Sequence, residues 1–162
     1  MKHLVGFGYD TILFPAQSKF LAYYNQALLN KLIFFFFLSS IYSLIDTEFR
    51  RKVVELRPDI IWVFKGMELL PKTIIWLKDR GIKVANYNPD SPYIFSGRGS
   101  GNKNVVKGLP LFDLYMTYDS TILDKLRKDR LKAELIPFGF DIADEVFEKA
   151  IKTPEIIKTC FV

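Results

Sequence analysis

Asp90 follows Asn88 and Pro89 directly after an apolar run, where a carboxylate can accept the proton of an attacking hydroxyl. The same carboxylate could instead serve only its own turn, bonding the backbone nearby. Lys65 and Gly66 close an earlier apolar run in the same way. A glycine-rich loop, Ser96-Gly97-Arg98-Gly99-Ser100-Gly101, comes next, and its amides could approach an anion while Arg98 and Lys103 add positive charge. Its spacing matches neither the Walker pattern nor a dinucleotide fingerprint, so a plain surface loop fits equally well. Asp141 ends the stretch Pro137-Phe138-Gly139-Phe140-Asp141, where it can hold that turn or cap the next helix. Tyr87, Tyr93, Phe95, Phe138 and Phe140 could stack on a sugar or base, although aromatics at a sheet edge more often belong to the core. The chain has one histidine, His3, and one cysteine, Cys160, so no Ser/His/Asp or Cys/His nucleophile set can be assembled. The same count excludes a disulfide framework and a Cys/His zinc centre, and no metal site and no cofactor are assigned.

These residues need a frame that brings them together. Ile45, Phe49, Val53 and Leu56 recur at helical spacing until Pro58, and Ile60 to Phe64 is an unbroken apolar run that reads as a parallel strand covered on both faces. Pro71 suits a first helical turn, Gly81 a left-handed terminator, and Ile82 to Tyr87 a second strand. A short helix near Asn102 or Asn104 precedes a third strand at Asp113 to Thr117. Ser120 is the expected cap of a helix running through Arg130, and Ala133 to Ile136 is a fourth strand. Asp144 to Lys152 reads as helix and Ile156 to Val162 as strand. Near the amino terminus, Gly8 reads as a helix end and Tyr9 to Phe14 as the strand after it. Strands separated by helices imply parallel pairing, so the expected fold is α/β, a Rossmann-like mainly parallel sheet with helices on both faces. In such a sheet the exit loops converge beyond the carboxyl ends of the strands.

Composition narrows the partners. The 162 residues, 49% hydrophobic and 25% charged, suit an ordinary globular protein at roughly 150 residues per domain. The net charge of +5 is compatible with an anionic ligand, an acidic membrane surface or nucleic acid. Lys125, Arg127, Lys128, Arg130 and Lys132 alternate with Asp124 and Asp129, which reads as a solvated helix face and not a nucleic-acid patch. Residues 32–45 carry no charge but fall short of the roughly 20 residues a span needs. A helix is expected over residues 32–38. One stripe cannot hold four adjacent phenylalanines, so at least one should be exposed toward a partner domain, another subunit or lipid.

Three blocks in order, Pro58 to Gly66, Asn86 to Pro92 and Pro137 to Asp141, resemble the spore-maturation CgeB-like glycosyltransferases. Residues 100–104 fit that group too, and the likeness covers roughly residues 45–162. The resemblance implies the amino-terminal half of a GT-B architecture, two facing Rossmann-like domains that move a sugar from a nucleotide-sugar donor to an acceptor hydroxyl. It implies Asp90 as the catalytic base, with Lys65, Gly66, Asn88, Arg98, Ser100, Asn102, Lys103 and Asp141 as substrate-binding residues. On that plan residues 1–153 form the acceptor-side domain, short of its first strand, and residues 154–162 begin the donor-binding domain. The isolated chain is then expected to be inactive, with a nucleotide-sugar donor and a sugar or protein acceptor as partners and no nucleic acid. The expected location is cytoplasmic, with residues 32–45 as a peripheral membrane contact. The competing expectation is a non-catalytic α/β binding or membrane-associated interaction module.

Overall fold

The computed structural model describes residues 2–36, 38–94, 103–137, 139 and 143–152. Helices α1 (Lys2–Gly6), α2 (Ala16–Gln26), α3 (Leu28–Phe35) and α4 (Ile41–Leu56) precede strand β1 (Ile60–Phe64). Then follow α5 (Pro71–Lys78), β2 (Lys83–Tyr87), α6 (Lys103–Gly108) with a 3-10 turn at Leu109–Leu111, β3 (Leu114–Thr117), α7 (Ser120–Lys128), β4 (Ala133–Leu135) and α8 (Asp144–Lys152). The four strands form one all-parallel sheet in the order β1-β2-β3-β4. The class is therefore α/β and Rossmann-like, and the four strands lie within a residue of where their apolar runs placed them. Proline at the start of α5 and Gly81 at φ 75 after its end act locally as expected.

Coverage of the sheet differs from the expectation. Three successive crossovers step in one direction across the sheet, and right-handed crossovers in that order all lie on the same face. On that face Ile61, Val63 and Val84 pack with Val53, Ile74, Leu77 and Ile82, while Tyr115 and Ala133 pack with Leu109, Ile122, Leu123 and Leu126. The opposite face of β1 is open among the described residues: Ile60, Trp62 and Phe64 are 61%, 58% and 60% exposed. An apolar run reports a strand but not how many of its faces are covered, so the two-sided coverage read for Ile60 to Phe64 is corrected to one-sided.

Three further expectations change. Tyr9 to Phe14 has no regular structure although Gly8, at φ 84, follows α1 as a terminator. Tyr9, Ile12 and Leu13 are exposed, and among the described residues no neighbouring strand receives their backbone groups. Helix α7 is capped not by Ser120 but by Asp119, whose carboxylate accepts from the N–H groups of Thr121 (2.7 Å) and Ile122 (3.1 Å). The expected helix over residues 32–38 is α3, which starts earlier and ends at Phe35. Phe34 turns inward onto Phe20, Tyr24 and Tyr42, while Phe35 and Phe36 are exposed as anticipated. The strand read at Ile156 to Val162 lies outside the described residues.

Asp113 fastens the other end of the sheet. Its carboxylate accepts from the buried Val84 N–H (2.8 Å) and pairs with Lys78 (3.3 Å). Burial alone would raise this carboxyl, but the Val84 N–H, Lys78 and Lys83 outweigh it and hold it below the usual range. A depressed carboxyl contributes stability that is present above its unfolded pKa, about 3.9, and lost as pH falls through the folded value. Asp113→Ala should cost about 1–3 kcal/mol by stranding the Val84 N–H. Asp113→Asn should flatten the acid limb of a stability–pH curve measured by urea denaturation. An unchanged acid limb would show that the charge of Asp113 contributes nothing.

Candidate functional site

The carboxyl edge of the sheet holds a polar cluster built by the exits of β1 and β2. Lys65 leaves β1 at φ 60 and Gly66 continues at φ 90, a sharp reversal closed by the Gly66 N–H donating to Phe64 O at 2.7 Å. The Lys65 N–H donates to Tyr87 O (2.9 Å), and the buried Asn86 amide donates to Lys65 O (3.2 Å), so β2 fixes the turn. A Cβ on Gly66 would sit 3.0 Å from the Asn86 amide nitrogen, which leaves glycine the fitting residue for both the φ and the space.

At the exit of β2, Asn88 is buried and its N–H donates to Met116 O (3.0 Å). The Asn88 side-chain oxygen accepts from the Asp90 N–H at 3.0 Å. Asn88 therefore makes the turn that the sequence left as one role for Asp90. The Asp90 carboxylate reaches Lys65 Nζ instead, at 2.8 Å, with both side chains partly open to solvent. Residues 25 positions apart, Lys65 and Asp90, thus form one donor–acceptor pair at the edge where ligands of parallel sheets bind. A hydroxyl placed there would find a carboxylate acceptor beside an ammonium donor.

The sequence-based candidates separate into three groups. Lys65, Gly66, Asn88 and Asp90 come together. Lys103 opens α6 as an exposed residue, and its neighbour Asn104 donates to Met67 O at 3.3 Å, which ties the start of α6 to the β1–α5 loop. Arg98, Ser100, Asn102 and Asp141 lie outside the described residues. The exits of β3 and β4 are engaged locally: Thr117 accepts from the Asp119 N–H (3.3 Å), and the Ile136 N–H donates to Thr117 O (2.8 Å).

Three residues at this edge were missed. Glu68 sits in the loop after Gly66, and burial raises its carboxyl, opposed by its own backbone N–H and by the charge of Lys65. The readable signal was its place in the apolar stretch Met67, Leu69 and Leu70 just after a strand exit. The Tyr115 hydroxyl is buried next to Asn88 with no well-formed hydrogen bond among the described residues, and burial pushes it above the ordinary tyrosine value. Asn86 Oδ1 is likewise buried without a partner among the described residues, and Asn86 and Tyr115 are register neighbours on β2 and β3. The Tyr93 hydroxyl, in contrast, donates to Asp129 (2.9 Å) beneath Lys125, and burial foremost pushes it up to about 12. Tyr93 is held as a packing residue. Among the described residues no group of three His, Cys, Asp or Glu side chains could hold a metal ion. No family model, curated protein or solved structure matches the chain.

Proposed function

We propose that this chain is the acceptor-side portion of a CgeB-like, GT-B glycosyltransferase that transfers a sugar from a nucleotide-sugar donor to an acceptor hydroxyl. The observation that supports the reading most is the Lys65–Asp90 pair at 2.8 Å, because it joins the first two resemblance blocks into one constellation at the strand exits. In this reading Asp90 accepts the acceptor proton, Lys65 orients it, and Asn88 holds the loop. Arg98, Ser100, Asn102, Lys103 and Asp141 contact the substrates, and a second domain holds the nucleotide-sugar donor. The reading carries a cytoplasmic location with it, where nucleotide sugars are available.

The test is an amide chemical-shift titration of the labelled chain with a panel of saccharides and nucleotide sugars. Saccharides should move Lys65, Gly66, Asn88 and Asp90 together. A panel that leaves these four amides still while moving others would remove the acceptor-side assignment. The competing reading, a non-catalytic α/β interaction module, is favoured by the open apolar face of β1.

A further inference from the structure

Helix α3 is apolar on both of its sides. Inward, the Phe34 ring meets Phe20 of α2 (5.1 Å between centroids), Tyr24 (5.7 Å) and Tyr42 of α4 (5.7 Å). Outward, Leu28, Leu32 and Phe35 follow at helical spacing with Leu29 and Phe36 beside them, all between 47% and 73% exposed. A helix packed on one side of a globular protein should be polar on the other, and a continuous exposed apolar stripe marks an interaction surface.

Charge says what covers it. Residues 11–45 contain no Asp or Glu and two lysines, Lys19 and Lys31. Lys19 turns to Glu48 of α4 at 2.9 Å, whereas Lys31 lies 5.3 Å over the Tyr24 ring. At 3.6 residues per turn Lys31 borders the stripe, between the inward Phe34 and the outward Phe35. A second copy seated stripe on stripe would face Lys31 with the same positive, acid-free surface. An anionic lipid surface answers both the apolar stripe and the lysine. Among the described residues no helix is long and apolar enough to cross a membrane.

We propose that the outward stripe of α3 docks on an anionic bilayer, with the helix lying in the headgroup plane. This surface differs from the one expected at residues 32–45. Ile41 and Ile45 are buried inside the protein, Ser39 and Ser40 separate them from α3, and Leu28 and Leu29 join instead. It stands independently of the glycosyltransferase reading.

Flotation of the full chain with phosphatidylcholine vesicles, with and without phosphatidylglycerol, tests it. The chain should float with the phosphatidylglycerol vesicles. Leu32→Glu and Phe35→Glu, at exposed positions and checked for folding by circular dichroism, should each lower the bound fraction about tenfold or more. Lys31→Gln should lower binding about fivefold on the anionic vesicles and leave the neutral ones unaffected. Absence of flotation, Glu variants that float like the parent, or equal binding to neutral vesicles would overturn the proposal. A solution dimer broken by Leu32→Glu in a chain that never floats would assign the stripe to a second copy.

Discussion

If the proposed glycosyltransferase reading holds, Asp90→Asn, assayed together with a donor-binding domain, should lower sugar transfer by about 10² to 10⁴. Stability should change by roughly 0.5 kcal/mol or less, because the Lys65–Asp90 pair is partly exposed and pairs of that kind contribute little. The amide retains the shape and a hydrogen-bond acceptor but takes up no proton, which separates base chemistry from turn chemistry. The turn itself is held by Asn88, whose side chain accepts from the Asp90 N–H, so the substitution leaves it in place. Glu68→Gln is the informative companion, since Glu68 is the nearby carboxyl whose proton affinity burial has raised. Rate loss confined to the Glu68 variant would transfer the base role to that residue. Loss of folded protein with unchanged activity per folded molecule in Asp90→Asn would make Asp90 a structural residue.

Asp46→Ala should destabilise the fold by about 3 kcal/mol. Asp46 of α4 is buried and receives the Arg50 Nε at 3.1 Å on each carboxylate oxygen. The Thr73 hydroxyl of α5 donates to the same carboxylate while accepting from Arg50 at 3.0 Å, and Lys72 stands 3.8 Å away. The Arg50 guanidinium also lies over the Trp76 ring of α5 at 4.9 Å, extending the contact between the two helices. Removing the carboxylate leaves the Arg50 charge partly buried and the wholly buried Thr73 hydroxyl without its acceptor. At about 2–4 °C per kcal/mol for a domain of this size, the melting temperature should fall by roughly 6–12 °C. Asp46→Asn, which retains an acceptor for Thr73, should fall by less. A melting temperature within about 1 °C of the parent for Asp46→Ala would show that the network behaves like a surface ion pair.

What the sequence determined by itself was what depends on neighbours along the chain. The strands at Ile60, Lys83, Leu114 and Ala133, the proline start of α5 and the Gly81 terminator follow from periodicity and backbone preference, which act over a few residues. The parallel pairing followed as well, because a helix between two strands returns the chain in the same direction. The convergence of Lys65, Gly66, Asn88 and Asp90 was also legible, since strand exits of a parallel sheet share an edge. Tertiary structure alone decided the rest. Nothing in an apolar run says how many of its faces find partners, so the open side of Ile60, Trp62 and Phe64 was hidden. Tyr9 to Phe14 had strand composition but, among the described residues, no adjacent strand to receive its hydrogen bonds. Likewise Asp46 reads as one more helix residue until Thr73, 27 positions on, closes over it. Each of these outcomes depends on contacts between residues far apart in sequence, which exist only once the chain has folded.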